Sequence, residues 1–214
     1  ANAPPRAWQR MLSGRRLDLL DPSPLDVEIE DVAHGLARVA RWNGQTIGDH
    51  PFSVAQHSLL VEAIAAAAEP SLGARARLAV LLHDAPEYVI GDMISPFKAV
   101  IGQTYKAVEA RLADAVRVRF RLEPVADRPL GKLLKAADLS AAYLEATRLA
   151  GFAEAEALRF FGRPDQRVGP AALEEIEAAF LTPWETGRAQ ARFLERFRAL
   201  EAAASRGEGG TDEG

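Results

Sequence analysis

Four ionisable residues stand in stretches of sequence that are otherwise apolar. His57 lies within 54–61, His83 and Asp84 directly follow Leu78-Ala79-Val80-Leu81-Leu82, and Asp138 lies within 133–144. An ionisable group in a core costs several kcal/mol unless it is paired or bound to a metal, so each of these needs a reason to be there. Two imidazoles and two carboxylates make a nitrogen and oxygen donor set that suits a first-row divalent ion and leaves positions open for water and substrate. A lone helical histidine is more often a satisfied core or surface residue, and one His-Asp dipeptide has little specificity; it is the joint pattern that favours a metal. The spacings, 26 residues from His57 to His83 and 54 from Asp84 to Asp138, do not by themselves bring the groups together.

The elements that have to position them read as helices. Apolar residues recur at helical spacing nearly everywhere and β-branched alternation is almost absent, which predicts an all-α fold. A first helix is expected over 31–42, with Val32, Leu36 and Val39 on one face and Asn43-Gly44 as its stop. On it, Arg38 and Arg41 would sit one turn apart. A second starts at the N-cap type Ser53 and carries His57 into an alanine run that ends at Glu69-Pro70. A third, over 74–84, is apolar all round and therefore central. Pro86 disfavours helical geometry at Ala85, so this helix is expected to stop just after His83-Asp84. Adjacent helix positions diverge by about 100°, yet at a helix end both side chains can reach one ion. Residues 91–96 read as an irregular connection, and further helices are expected over 103–120, 128–149, 171–181 and 185–203.

Composition narrows the chemistry. The chain has 214 residues, 26 Lys plus Arg against 30 Asp plus Glu, a formal net charge of −4 and no cysteine. Zero cysteine removes disulfides, zinc ribbons, iron–sulfur clusters and thiol nucleophiles. The mild acidity argues against a basic face for duplex nucleic acid. No apolar run reaches the roughly 18 residues of a membrane span, and the start has no apolar leader segment, so a cytoplasmic protein is expected. Residues 1–204 read as one helical domain and 205–214, small and polar, as a flexible tail.

Further motifs accompany the four residues. Arg41-Trp42 precedes His57 by 16 positions; His83-Asp84-Ala85-Pro86-Glu87 is followed by Gly91-Asp92-Met93-Ile94-Ser95-Pro96-Phe97-Lys98; Tyr105-Lys106-Ala107-Val108-Glu109 and Lys135-Ala136-Ala137-Asp138 complete the set. Over 31–150 this resembles the HD-domain metal-dependent phosphohydrolases and is similar to the YfbR-type bacterial 5′-deoxynucleotidases. The resemblance implies an HD-domain helical bundle with additional C-terminal helices and one divalent metal ion (Co, Mn, Zn, Ni or Fe) on His57, His83, Asp84 and Asp138. It also implies a nucleotide substrate and a homodimer.

Within that resemblance, Glu87 is the first candidate for acid/base work on a phosphate ester and Asp92 the second. A solvated carboxylate in a first helical turn is the plain alternative for Glu87. Arg41 and Trp42 are implied in binding the phosphate and deoxyribose, with Lys106 near the same site. Taken singly, Arg41 could equally be a helix C-terminal cation and Trp42 a packing residue. His34 reads as a hydrogen-bonded core histidine and His50 as a loop residue. The activity expected is removal of a 5′-phosphate from a deoxyribonucleoside monophosphate by a metal-activated water. The rivals are a deoxynucleoside triphosphate triphosphohydrolase, a cyclic-nucleotide or (p)ppGpp hydrolase, and a metal-binding helical protein without turnover.

Overall fold

Ser53 starts the helix around which the other elements are built. Its hydroxyl accepts from the Gln56 amide at 3.2 Å, capping α2 (Val54–Ala68), and all but three residues of that helix are buried. In the computed structural model, which describes residues 6–94, 100, 102–122 and 129–208, α2 touches five other helices. These are α1 (Ile29–Leu36), α3 (Ala74–Leu81), α6 (Pro129–Arg148), α8 (Pro170–Phe180) and α9 (Thr186–Glu208). The short α4 (Glu87–Ile90) packs on α1, and α7 (Glu154–Phe161) packs on α6. α5 (Gln103–Arg119) lies against a 3-10 turn at Pro24–Asp26. A helix apolar all round must be surrounded, and α2 is.

Apolar side chains form two clusters. One gathers α1, α3, α5 and α9 and the other α6 and α8, while α2 and α3 contribute to both. His57 and His83 therefore come from α2 and from the residues just after α3, the two elements that the clusters share. On α9, Ala189, Phe193, Phe197, Leu200 and Ala204 recur at three- and four-residue spacing and are buried against its neighbours. Gln56 fastens the segment before it: its amide donates to the carbonyls of Phe180 (2.6 Å) and Thr182 (2.7 Å) and its oxygen accepts from Trp184 N (2.9 Å). No helix of the described residues is long and apolar enough to cross a membrane.

The fold is all-α apart from an N-terminal hairpin, β1 (Trp8–Arg10) and β2 (Arg16–Asp18), antiparallel with Gln9 opposite Leu17. Strands of three residues are too short to show alternation. Two helical expectations need correction. The first helix runs over Ile29–Leu36 and does not reach Trp42. Beyond it the chain pairs with the residues leading into α2: Arg41 N donates to Phe52 O at 2.8 Å and Val54 N to Val39 O at 3.0 Å. Arg41–Gly44 is then a separate 3-10 turn with Trp42, Asn43 and Gly44 at φ of 57°, 50° and 74°. Arg38 and Arg41 thus share no helix, and Arg38 instead donates to Gln190 Oε1 at 3.0 Å.

The third helix likewise ends at Leu81, and 82–86 pass through successive turns into α4, with Pro86 at its N-cap. His83 and Asp84 sit on these turns, so helical divergence does not separate them. α9 continues to Glu208, four residues into the segment read as a tail; 209–214 lie outside the described residues, as do Ser95, Pro96, Phe97 and Lys98 of the motif.

Candidate metal centre

His57 lies one turn into α2, its backbone N–H bonded to Ser53 O at 2.9 Å, and its ring is fully buried. Across from it α6 presents Asp138, whose Oδ1 is 3.3 Å from His57 Nε2. The turn after α3 supplies the other two groups: Asp84 Oδ2 stands 3.5 Å from His57 Nε2 and 3.2 Å from His83 Nε2. Ligand atoms of His57, His83 and Asp138 all fall within 4.8 Å of one another, and the two imidazole centroids are 5.4 Å apart. The four residues singled out in the sequence thus meet at one point, from α2, from the α3–α4 turn and from α6.

The donor chemistry fits a cation. His83 Nδ1 lies 2.9 Å from the Val80 carbonyl and His57 Nδ1 lies 2.5 Å from Glu145 Oε1. A carbonyl and a carboxylate can only accept, so both Nδ1 atoms carry hydrogen, and either ring, when neutral, has its lone pair on Nε2. Both Nε2 atoms are buried and make no hydrogen bond. Two such nitrogens beside two carboxylates form a donor set that suits a divalent cation. The carboxylate side is the open one: the Asp138 side chain is 42% exposed against 0% for His57.

The electrostatics agree. Burial and the Arg41 charge push the His57 pKa down, but Glu145, Asp138 and Asp84 outweigh them and hold it well above the ordinary imidazole value. Burial raises Asp84, yet the two histidines hold it well below the usual carboxylate range. Asp138 behaves the same way, burial being overcome chiefly by His57. A proton on His57 therefore offsets part of the negative charge of these acidic groups.

Glu145, also on α6 and fully buried, was not among the candidates. Besides His57 it accepts from Trp42 Nε1 at 2.8 Å and from Arg41 Nε at 3.3 Å, both through Oε2. Burial raises its pKa, but His57 and Arg41 outweigh this and keep it ionised. Arg41 Nη1 in turn reaches Asp92 Oδ2 at 3.2 Å. The Trp42 ring packs on Phe152 and Phe161, centroids 5.5 and 5.8 Å away. Arg41, Trp42 and Asp92 are thereby joined to the cluster through one carboxylate. Next to them a cavity of about 360 Å³ is lined by Asn43, Ile90, Asp92, Met93 and Ile94.

Glu87 is buried at the first position of α4, its amide bonded to Asp84 O at 3.0 Å. Lys106 is exposed on the first turn of α5, and among the described residues it enters none of the cluster's hydrogen bonds or ion pairs. His34 is half-buried near the end of α1, its pKa pushed down by burial, and His50 is an exposed loop residue.

The model of the 5′-deoxynucleotidase YfbR-like family matches residues 32–157. The chain belongs to this family. The YfbR-like family is of the HD superfamily, so the protein is a hydrolase of the metal-dependent HD type, and the matched span holds His57, His83, Asp84, Asp138 and Glu145. An uncharacterized protein of Rhodobacter capsulatus is 64% identical over 160 residues, which cover 75% of this chain and 82% of that relative. α8 and α9 lie beyond the span matched to the YfbR-like family, and Gln56, beside His57, ties the segment between them to α2.

Proposed function

We propose that the protein removes the 5′-phosphate from deoxyribonucleoside monophosphates, with one divalent cation (Co, Mn, Zn, Ni or Fe) on His57, His83, Asp84 and Asp138. The observation that carries this reading is the pair of buried, unbonded Nε2 atoms facing two carboxylates. When bound, the cation supplies a Lewis acid that makes water a usable nucleophile at neutral pH and offsets phosphoryl charge. Asp138, on the exposed side, leaves room for a phosphate to approach.

Arg41 contributes positive charge to the substrate phosphate. Its bonds to Glu145 and Asp92 leave others of the five guanidinium N–H groups for phosphoryl oxygens. Trp42, braced by Phe152 and Phe161, limits the sugar. Glu87, next to the His83-Asp84 turn, delivers the proton that the departing 5′-oxygen needs, and Asp92 is the second group for that task. Lys106 adds charge at the rim. The same family likeness supports a cytoplasmic homodimer, for which the molar mass in solution is the check.

Product chromatography tests the reaction. Protein loaded with Co²⁺, Mn²⁺ or Zn²⁺ is expected to convert deoxyribonucleoside monophosphates to nucleoside and inorganic phosphate. Action on triphosphates alone, with release of triphosphate, would establish the rival chemistry of the same fold. Cation uptake without turnover on any nucleotide would leave a metal-binding helical protein.

A further inference from the structure

One carboxylate receives hydrogen bonds from a metal-ligand candidate and from both members of the Arg41-Trp42 pair. Glu145 Oε1 lies 2.5 Å from His57 Nδ1, and Oε2 lies 2.8 Å from Trp42 Nε1 and 3.3 Å from Arg41 Nε. The donors come from α2 and from the Arg41–Gly44 turn, 88 to 104 residues away in sequence, and the carboxylate is fully buried. We infer that Glu145 is a positioning residue of the metal centre: it holds the proton on His57 Nδ1 so that Nε2 is free for a cation, and its second oxygen seats Arg41 and Trp42. Ligand and substrate-facing pair then share one anchor. The inference rests on the metal-centre reading.

The chemistry of the alternative side chain makes the inference sharp. An ionised carboxylate offers acceptors at both oxygens, whereas an amide of the same shape offers one acceptor and one donor end. In Glu145→Gln the NH2 must face something. Turned to His57, it requires Nδ1 to accept, which moves the ring proton to Nε2, the atom meant for the cation. Turned the other way, it meets the N–H groups of Trp42 and Arg41 in a buried place, and both lose their acceptor. Trp42→Phe removes one of those two N–H groups and so relieves the second arrangement.

Three cation-binding titrations with Co²⁺ alone, followed by calorimetry, test this. Glu145→Gln is expected to bind about 10- to 100-fold more weakly than the parent, the range for loss of a partner behind a ligating histidine. Trp42→Phe combined with Glu145→Gln is expected to regain part of that loss, whereas a merely structural role predicts losses that accumulate. Nitrogen NMR of the zinc-loaded parent gives an answer that does not depend on any variant folding: the His57 proton is expected on Nδ1. A proton on Nε2, or a folded Glu145→Gln that binds Co²⁺ like the parent, overturns the inference alone. A parent that binds no cation removes the metal reading and this inference together.

Discussion

Asp138 and Glu145 lie seven residues apart on α6 and take His57 from opposite edges of its ring, Asp138 Oδ1 at 3.3 Å from Nε2 and Glu145 Oε1 at 2.5 Å from Nδ1. Seven residues are nearly two full turns, so one face of a single helix carries both residues, their Cα atoms about 10 Å apart along the axis. The imidazole of α2 is inserted between them. Rotation of that ring is thereby restrained before any cation arrives, which lowers the cost of organising the site.

Holding the cation and moving the proton are assigned to different residues, and variants should separate them. Asp138→Ala is expected to lose cation affinity by at least about 10-fold. Glu87→Gln is expected to keep both cation and nucleotide binding while kcat falls by about 10²-fold or more, the usual contribution of a positioned acid or base. Metal analysis and steady-state kinetics on the two proteins check this. Normal turnover by Glu87→Gln would transfer the proton to Asp92 or to solvent.

Arg41 has a structural task beside its proposed role with phosphate. It neutralises Glu145, whose side chain is 0% exposed, and Asp92, which is 8% exposed. Removing one partner of a buried ion pair costs about 3–5 kcal/mol. Arg41→Ala should therefore lower the free energy of unfolding by roughly 3 kcal/mol, read from a urea titration, as well as raise KM. An unchanged urea midpoint would restrict Arg41 to the substrate.

Acidity should oppose cation binding. In the cation-free fold the acidic groups hold the His57 pKa above its unfolded value of about 6.5, so near neutrality the ring carries a proton that a cation must displace. Binding heats measured in buffers of different ionisation enthalpy should reveal proton release. The same shift fixes the sign of the stability effect. His57 contributes stability in full below its unfolded pKa and loses it as pH rises through the folded value. The chelated protein should consequently melt lower toward alkaline pH, and added cation should reverse the fall. A melting temperature that rises with pH in chelator would contradict this assignment.

Gly35 sets the approach of α1 to α4, the helix that begins at Glu87. A Cβ on Gly35 would stand 2.6 Å from Tyr88 O and 2.7 Å from Tyr88 Cβ. Alanine gains about 1 kcal/mol in helix propensity, but backbone stands in the way and overpacking costs about 1–3 kcal/mol. Gly35→Ala is expected to destabilise the protein and to reduce kcat more than cation affinity, because α4 carries Glu87 and no ligand. Thermal melts and cation titrations check the two halves.

The helices of the interior were legible because burial leaves a mark in sequence. α2, α5 and α6 begin and end close to where their caps and apolar runs indicate, and the four metal-ligand candidates are betrayed by charge inside apolar segments. Glu145 meets the same criterion within 140–146, and its signal is the seven-residue interval from Asp138. What the sequence does not carry is its set of partners, which come from 88 to 104 residues away. The end of α1 was misplaced for a related reason: Val39 and Arg41 are claimed by the backbone of Phe52 and Val54, a tertiary pairing that helical periodicity does not register. The strands of the hairpin at Trp8–Arg10 and Arg16–Asp18 have three residues each, too few for a two-residue alternation to be read.

Anomalous diffraction from crystals soaked in Co²⁺ puts the central claim to its most direct test. A single strong peak is expected within bonding distance of His57 Nε2, His83 Nε2, Asp84 and Asp138. Cobalt bound elsewhere, with those four side chains still in contact with one another and no peak between them, would contradict the account.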